Sequence, residues 1–134
     1  MRTAVDTNIL LDVFIGDQAF ADTSSELLKT AYDEGAIVIS DIVYAELVPQ
    51  FSDRQKLDDA LEVLSVRLSP LDADVAFLAG ERWNLYRRSG GKRTRIITDF
   101  LIGAHAALRA ERFLTRDRGF YKSYFSELDL LTLA

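Results

Sequence analysis

An α/β fold with a mostly parallel central sheet flanked by helices is the class this sequence predicts, and three observations carry it. Short apolar runs, many of them β-branched, recur along the chain. They alternate with longer stretches whose apolar residues fall at helical spacing, and that alternation argues parallel strands joined by crossover helices. The bulk composition, 49% hydrophobic against 28% charged in 134 residues, suits one globular domain over residues 1–134 with a core of its own.

The elements follow in order. Thr3-Ala4-Val5 is a first strand ending at Asp6, and Gly16-Asp17 breaks the chain after it. Phe20, Ser24, Leu27, Leu28 and Ala31 mark one face of a helix, with Gly35 as its stop. Ile37-Val38-Ile39 is β-branched throughout and reads as a buried strand. Ser40 caps a helix through Leu47, with Pro49 near its end. A polar helix over 53–64 carries Leu57, Leu61 and Leu64 on one side, and Val66-Arg67-Leu68 follows as a strand. Pro70-Leu71-Asp72 opens a helix running to Arg88, and Ser89-Gly90-Gly91-Lys92 is a loop. Thr98 is placed to cap a helix over 99–110. Arg112-Phe113-Leu114-Thr115 and residues 128–133 read as the last two strands.

The composition excludes much chemistry. Without cysteine there is no disulfide, thiolate nucleophile or cysteine zinc site. One histidine, His105, rules out a zinc site built on several. His105 lies six residues after Asp99, off its face on a helix, and reads as a core or interface residue. No run of 18 apolar residues exists to span a membrane, and Asp6 interrupts the first apolar run too early for a secretory signal; a cytoplasmic location is expected. The net charge of −5 looks unsuited to nucleic acid, but acids spent on a divalent cation would leave the remainder near neutral.

Carboxylates then become the candidate chemistry. Ligands of open parallel sheets gather at the carboxyl ends of strands. Asp6 directly follows the first strand, and Asp117 lies just past Thr115. Asp99 starts a helix, and Glu46 sits on the helix after the 37–39 strand. Four acids so placed can converge on one rim, where they repel unless protons or a hard cation such as Mg²⁺ or Mn²⁺ relieve them. Such an ion supports phosphodiester hydrolysis without histidine or cysteine. Each acid also has an ordinary role: a turn for Asp6 and Asp117, solvent for Glu46, the helix dipole for Asp99.

Four segments carry a family resemblance. Val5-Asp6-Thr7-Asn8-Ile9-Leu10-Leu11-Asp12, Ile42-Val43-Tyr44-Ala45-Glu46-Leu47, Thr98-Asp99-Phe100-Leu101-Ile102-Gly103-Ala104-His105-Ala106 and Phe113-Leu114-Thr115-Arg116-Asp117-Arg118-Gly119-Phe120-Tyr121 agree in order and spacing over nearly the whole chain. In these the sequence resembles the PIN-domain superfamily, and within it the VapC-type toxin branch. The resemblance implies a PIN-like fold, dependence on Mg²⁺ or Mn²⁺, and endonucleolytic cleavage of RNA, with Asp6, Glu46, Asp99 and Asp117 as metal ligands and catalytic residues. It implies Thr7, Asn8 and Thr115 in support, a homodimer, and an antitoxin partner. Alternatives are an RNA-processing PIN nuclease without antitoxin and an inactive PIN-like RNA-binding module. Some PIN nucleases carry a further acid one turn after the third; here Gly103 stands there, which implies one metal, or a second bound with substrate.

Arg87, Arg88, Lys92, Arg93 and Arg95 form the strongest basic cluster, and either hold phosphates or solvate a loop. Arg93, Arg95, Arg116 and Arg118 are the candidate RNA contacts. Asp12 and Asp41 are spare acids, Asp41 favouring its helix start. Phe77, Trp83 and Tyr86 exceed what one buried stripe needs and offer a dimer or antitoxin surface, though core packing accounts best for Trp83. A phosphate-signalling receiver, a phosphohydrolase with an aspartyl nucleophile and a dinucleotide-binding domain each lack a required residue. Thr115-Arg116 offers no lysine, Asn8 stands where a second acid belongs, and no glycine-rich turn follows the first strand.

Overall fold

The computed structural model describes residues 1–90 and 95–132. Strand β1 (Arg2–Val5) is followed by helices α1 (Thr7–Ile15) and α2 (Ala21–Glu34), then strand β2 (Ala36–Ile39). Helix α3 (Asp41–Leu47), a 3-10 turn (Val48–Gln50) and helix α4 (Arg54–Val63) lead to strand β3 (Val66–Leu68). Helices α5 (Ala73–Arg88) and α6 (Ile97–Arg109), strand β4 (Arg112–Leu114) and helix α7 (Arg118–Tyr124) complete the order.

The sheet is parallel throughout, in the order β3-β2-β1-β4. Ala4 pairs with Val38 on one side and with Phe113 on the other. Successive residues Thr3, Ala4 and Val5 are all buried, as are Ile37, Val38 and Ile39. Side chains of consecutive strand residues point to opposite faces, so unbroken burial means both faces are covered, as the strand-helix alternation predicts. The chain steps from β1 to β2 to β3 in one direction and then returns to place β4 on the far side of β1. That reversal leaves a crevice at the carboxyl ends of β1 and β4, where open α/β sheets place their ligands.

Local chemistry sets the boundaries. The Asp53 and Asp72 side chains accept from the backbone N–H groups of Lys56 (2.9 Å) and Val75 (3.0 Å), capping α4 and α5. Gly16 ends α1 in the left-handed conformation (φ 74°). Gly35 has φ 154°, and a Cβ there would lie 1.9 Å from the Met1 carbonyl oxygen. Gly35→Ala is therefore expected to lower stability by about 2 kcal/mol, read as a lower urea midpoint at unchanged slope.

Several elements depart from expectation. Helices α1 and α7 occupy segments to which the sequence pattern assigns no element. Ile96, not Thr98, is the cap residue of α6; Thr98 lies inside the helix, and the Asp99 carboxylate accepts from the Ile96 N–H (3.1 Å). The expected strand over 128–133 is reduced to one bridge: the Phe113 N–H donates to the Asp129 carbonyl (2.8 Å), and the Leu131 N–H donates to Phe113 (2.9 Å). Its last residue, Leu133, lies outside the described residues, as do Gly91, Lys92 and Arg93 of the expected loop and basic cluster. No helix among the described residues is long and apolar enough to cross a membrane.

Candidate active site

Asp6 is the centre of the site. It sits where β1 ends and α1 begins, in extended backbone geometry, with its Oδ1 accepting from the Thr7 N–H (2.8 Å). Its Oδ2 accepts from the Thr115 hydroxyl (2.7 Å) and from the Asn8 amide (3.4 Å). The cap fixes the carboxylate over the helix N-terminus, which favours negative charge. Burial works against that charge: Asp6 is only 7% exposed. Desolvation, with like charge from Glu46 and Asp117 adding to it, pushes its pKa up to about 6 despite the bonds from Thr115 and Thr7.

Two threonines tie the neighbouring acids to Asp6. The Thr7 hydroxyl donates to Glu46 Oε1 (2.7 Å), linking α1 to α3. Thr115 Oγ1 accepts from the Asp117 N–H (3.0 Å) while its proton goes to Asp6. Glu46, Asp6 and Asp117 thus belong to one hydrogen-bonded chain across α3, β1 and the end of β4. Asp99 joins through field rather than contact. The Tyr121 hydroxyl, buried nearby, is held in its protonated form by burial and by the charges of Asp6, Asp99 and Asp117.

Asp117 holds a cation of the chain's own. The Arg95 guanidinium pairs with both carboxylate oxygens, one at 3.1 Å, and lies 4.3 Å from the centre of the Phe120 ring. Among the described residues, no three acids or other ligating groups gather closely enough to hold one metal ion. The four expected acids share a rim without closing on a point. In donor chemistry they fit a hard divalent cation, being carboxylate oxygens supported by hydroxyls.

Beside this rim lies an acid that the sequence offers only as a spare. Asp12 is 3% exposed, and its carboxylate takes a bidentate pair from Arg116 (2.7 and 2.9 Å) and the Ser24 hydroxyl (2.8 Å). Arg116 also stacks 4.0 Å from the centre of the Phe20 ring, and its N–H donates to Asn8 Oδ1 (3.3 Å). An acid inside the apolar run Ile9-Leu10-Leu11-Asp12-Val13-Phe14 was the available signal, since a buried charge needs a partner. Arg118, exposed at the start of α7, has no acid partner among the described residues. Arg93 lies outside them.

The remaining candidates resolve simply. His105 is buried (1% exposed) and kept neutral by desolvation, so it is a core residue. Asp41 starts α3 and also accepts from the Leu71 N–H (3.2 Å). Trp83 packs against the core beneath Arg87, Tyr86 is buried, and Phe77 is exposed. At Gly103 an added Cβ would lie 2.5 Å from the Phe125 ring, so this backbone leaves no space for a further acid.

Known structures share this architecture. A chain of VapBC2 from Rickettsia felis, solved bound to a DNA fragment from their promoter, is 23% identical with a TM-score of 0.74, each chain covered over 98% of its length. A chain of VapBC-1 from nontypeable Haemophilus influenzae is 19% identical with a TM-score of 0.72, covering 98% of this chain and 97% of that one. VapC20 from Mycobacterium tuberculosis, a sarcin-ricin loop cleaving toxin, is 18% identical with a TM-score of 0.64, over 95% and 98%. No curated protein sequence matches the chain. The family described as PIN domain matches residues 3–125, and with its fold resembling those of VapC-type toxins, the chain belongs to the PIN domain family.

Proposed function

We propose that this protein is a metal-dependent endoribonuclease, using Mg²⁺ or Mn²⁺ at Asp6, Glu46, Asp99 and Asp117, and that it is the toxin of a toxin-antitoxin pair. The observation that carries the reading is Asp6: a buried carboxylate with its pKa pushed up to about 6, in the field of Glu46 and Asp117, at the sheet's switch point. A soluble fold has little reason to bury an acid among acids unless a cation is meant to join them. Membership of the PIN domain family supports the nuclease class, and the relative described as a cleaving toxin supports the toxin branch.

The chain's own residues divide the work. Thr7 orients Glu46, and Thr115 orients Asp6 while bracing the Asp117 backbone. Asn8 joins Asp6 to the Arg116 backbone, so the acidic rim and its arginine flank move together. Arg95, held by Asp117, stands where it can meet a backbone phosphate. A bound Mg²⁺ or Mn²⁺ supplies an activated water and neutralises charge on the phosphate under attack. In this reading the protein is cytoplasmic, pairs as a homodimer and is silenced by an antitoxin protein.

The test is cleavage of structured and single-stranded RNA in Mg²⁺, Mn²⁺ or EDTA, beside Asp99→Asn. Wild type is expected to cleave only with metal, and the variant to lose at least about 100-fold. Equal cleavage by both proteins would remove the assignment of the site. Metal binding without cleavage of any RNA would favour an RNA-binding module instead. A nuclease that remains active beside every small protein encoded next to it would favour an RNA-processing role without antitoxin.

A further inference from the structure

A groove of about 420 Å³ opens directly beside the acidic rim, lined by Phe20, Leu27, Thr115, Arg116, Arg118 and Leu131 among others. Its volume falls within the roughly 300–1,000 Å³ of clefts that hold small ligands. Thr115 belongs to both places: its hydroxyl bonds Asp6, and the residue is among those that line the groove. Whatever enters the groove therefore lies next to whatever the acids hold.

The lining has two characters. Phe20, 41% exposed, with Leu27 and Leu131 gives apolar walls. Arg118 gives positive charge beside a strongly acidic rim, while the charge of Arg116 is matched by Asp12. Arg116 is fixed: buried Asp12 takes two of its five donors, and its guanidinium carbon lies over the Phe20 ring. With a guanidinium over one side, the half-exposed aromatic ring keeps a flat apolar surface that water solvates poorly. A planar apolar wall with cations at its side matches one nucleotide, base against the wall and phosphate toward the arginine.

We propose that this groove is a subsite for a nucleotide flanking the scissile phosphate of single-stranded RNA, with its base packed on Phe20 and Arg116 and its phosphate met by Arg118. Asp12 is a positioning residue for Arg116. The inference rests on the nuclease reading and extends it: the site takes an unpaired strand, because a base held in a duplex is not free to enter the groove.

The experiment measures binding of the full chain in EDTA to fluorescein-labelled RNA hexamers of random sequence, and to hexamers of the same backbone lacking bases. Phe20→Leu is expected to weaken binding of the base-bearing hexamers about 10-fold and to leave the abasic ones unchanged. Arg118→Gln, at an exposed position, is expected to weaken both and to reduce the salt slope of log Kd by roughly 0.7, the value for one phosphate contact on a single strand. Equal loss by Phe20→Leu on both probes would mean damage to the fold and would overturn the base subsite. Wild-type binding by both variants would overturn the whole assignment. So would RNA binding that survives while capture of a co-expressed protein partner is lost, because the groove would then be a protein surface. If wild type cleaves RNA with metal but its KM ignores both substitutions, the groove fails and the nuclease reading stands. If wild type neither binds nor cleaves any RNA, both fall.

Discussion

Gly103→Asp is expected to abolish folding rather than to supply a further metal ligand. One turn after Asp99, Gly103 stands where some PIN nucleases carry another acid. Here an added Cβ would lie 2.5, 2.8 and 2.8 Å from three atoms of the Phe125 ring. That ring is fully buried between Phe100 and Tyr121, with the Arg82 guanidinium 5.2 Å from its centre, and has no open side to turn toward. A single methyl group forced into such packing costs about 1–3 kcal/mol. A carboxylate adds desolvation of several kcal/mol more. Together these approach the roughly 5–15 kcal/mol that holds a typical domain. Gly103→Asp should appear in the insoluble fraction, or melt far below wild type, while Gly103→Ala folds with a reduced Tm. A soluble Gly103→Asp protein with wild-type Tm and one extra bound Mn²⁺ would refute the packing argument.

Asp6→Asn is expected to move activity and stability in opposite directions. Loss of a carboxylate proposed to hold the cation should lower metal-dependent cleavage at least about 100-fold. Stability in EDTA should rise. The folded-state pKa of Asp6 is raised from 3.8 to about 6, so between those values the folded chain binds the proton and the unfolded chain does not. Stability therefore falls as pH rises through that window, and above it the folded state carries an ionised, buried acid. The shift corresponds to about 3 kcal/mol at neutral pH. Urea melts of both proteins in EDTA should coincide below about pH 4 and diverge by pH 7, with Asp6→Asn the more stable. Saturating Mg²⁺ should narrow the gap by stabilising wild type alone. A difference that does not change between pH 4 and 7 would show that Asp6 is not strained by its surroundings. A site whose acid costs stability until a cation arrives follows the usual trade between function and fold.

What the sequence revealed and what it hid divide along physical lines. The strands were legible because Ile37-Val38-Ile39 and Phe113-Leu114 are buried on both faces and hence apolar without interruption. Helices α2, α4 and α5 announced themselves by apolar residues at helical spacing. Helix α1 was hidden because Ile9 through Ile15 is a short run, apolar except at Asp12, and such a run does not by itself separate helix from strand. Helix α7 was hidden because Arg116-Asp117-Arg118-Gly119 has the composition of a turn. Residues 128–133 mislead by leucine content: among the described residues of that stretch, only Leu130 bridges to the sheet. Within the site, the acids and both threonines could be read from position and resemblance. The pairings Arg95–Asp117 and Arg116–Asp12 could not, since each joins residues about 20 or 100 positions apart that only the packed chain brings together.

The short bridge at Leu130 has an effect beyond the count of strands. By exchanging bonds with Phe113 it occupies part of the outer side of β4, so the sheet's two margins are unlike. One margin is partly sheltered by the segment around Leu130, and the other, β3, presents three residues with no strand beyond them among the described residues. Open margins are where sheets recruit neighbours. A molecule with one open margin can join one other through strand pairing and then has nothing left to offer, so addition of that kind ends at a pair. A filament needs two. The segment that bridges at Leu130 thus leaves less of β4 than of β3 open to another strand.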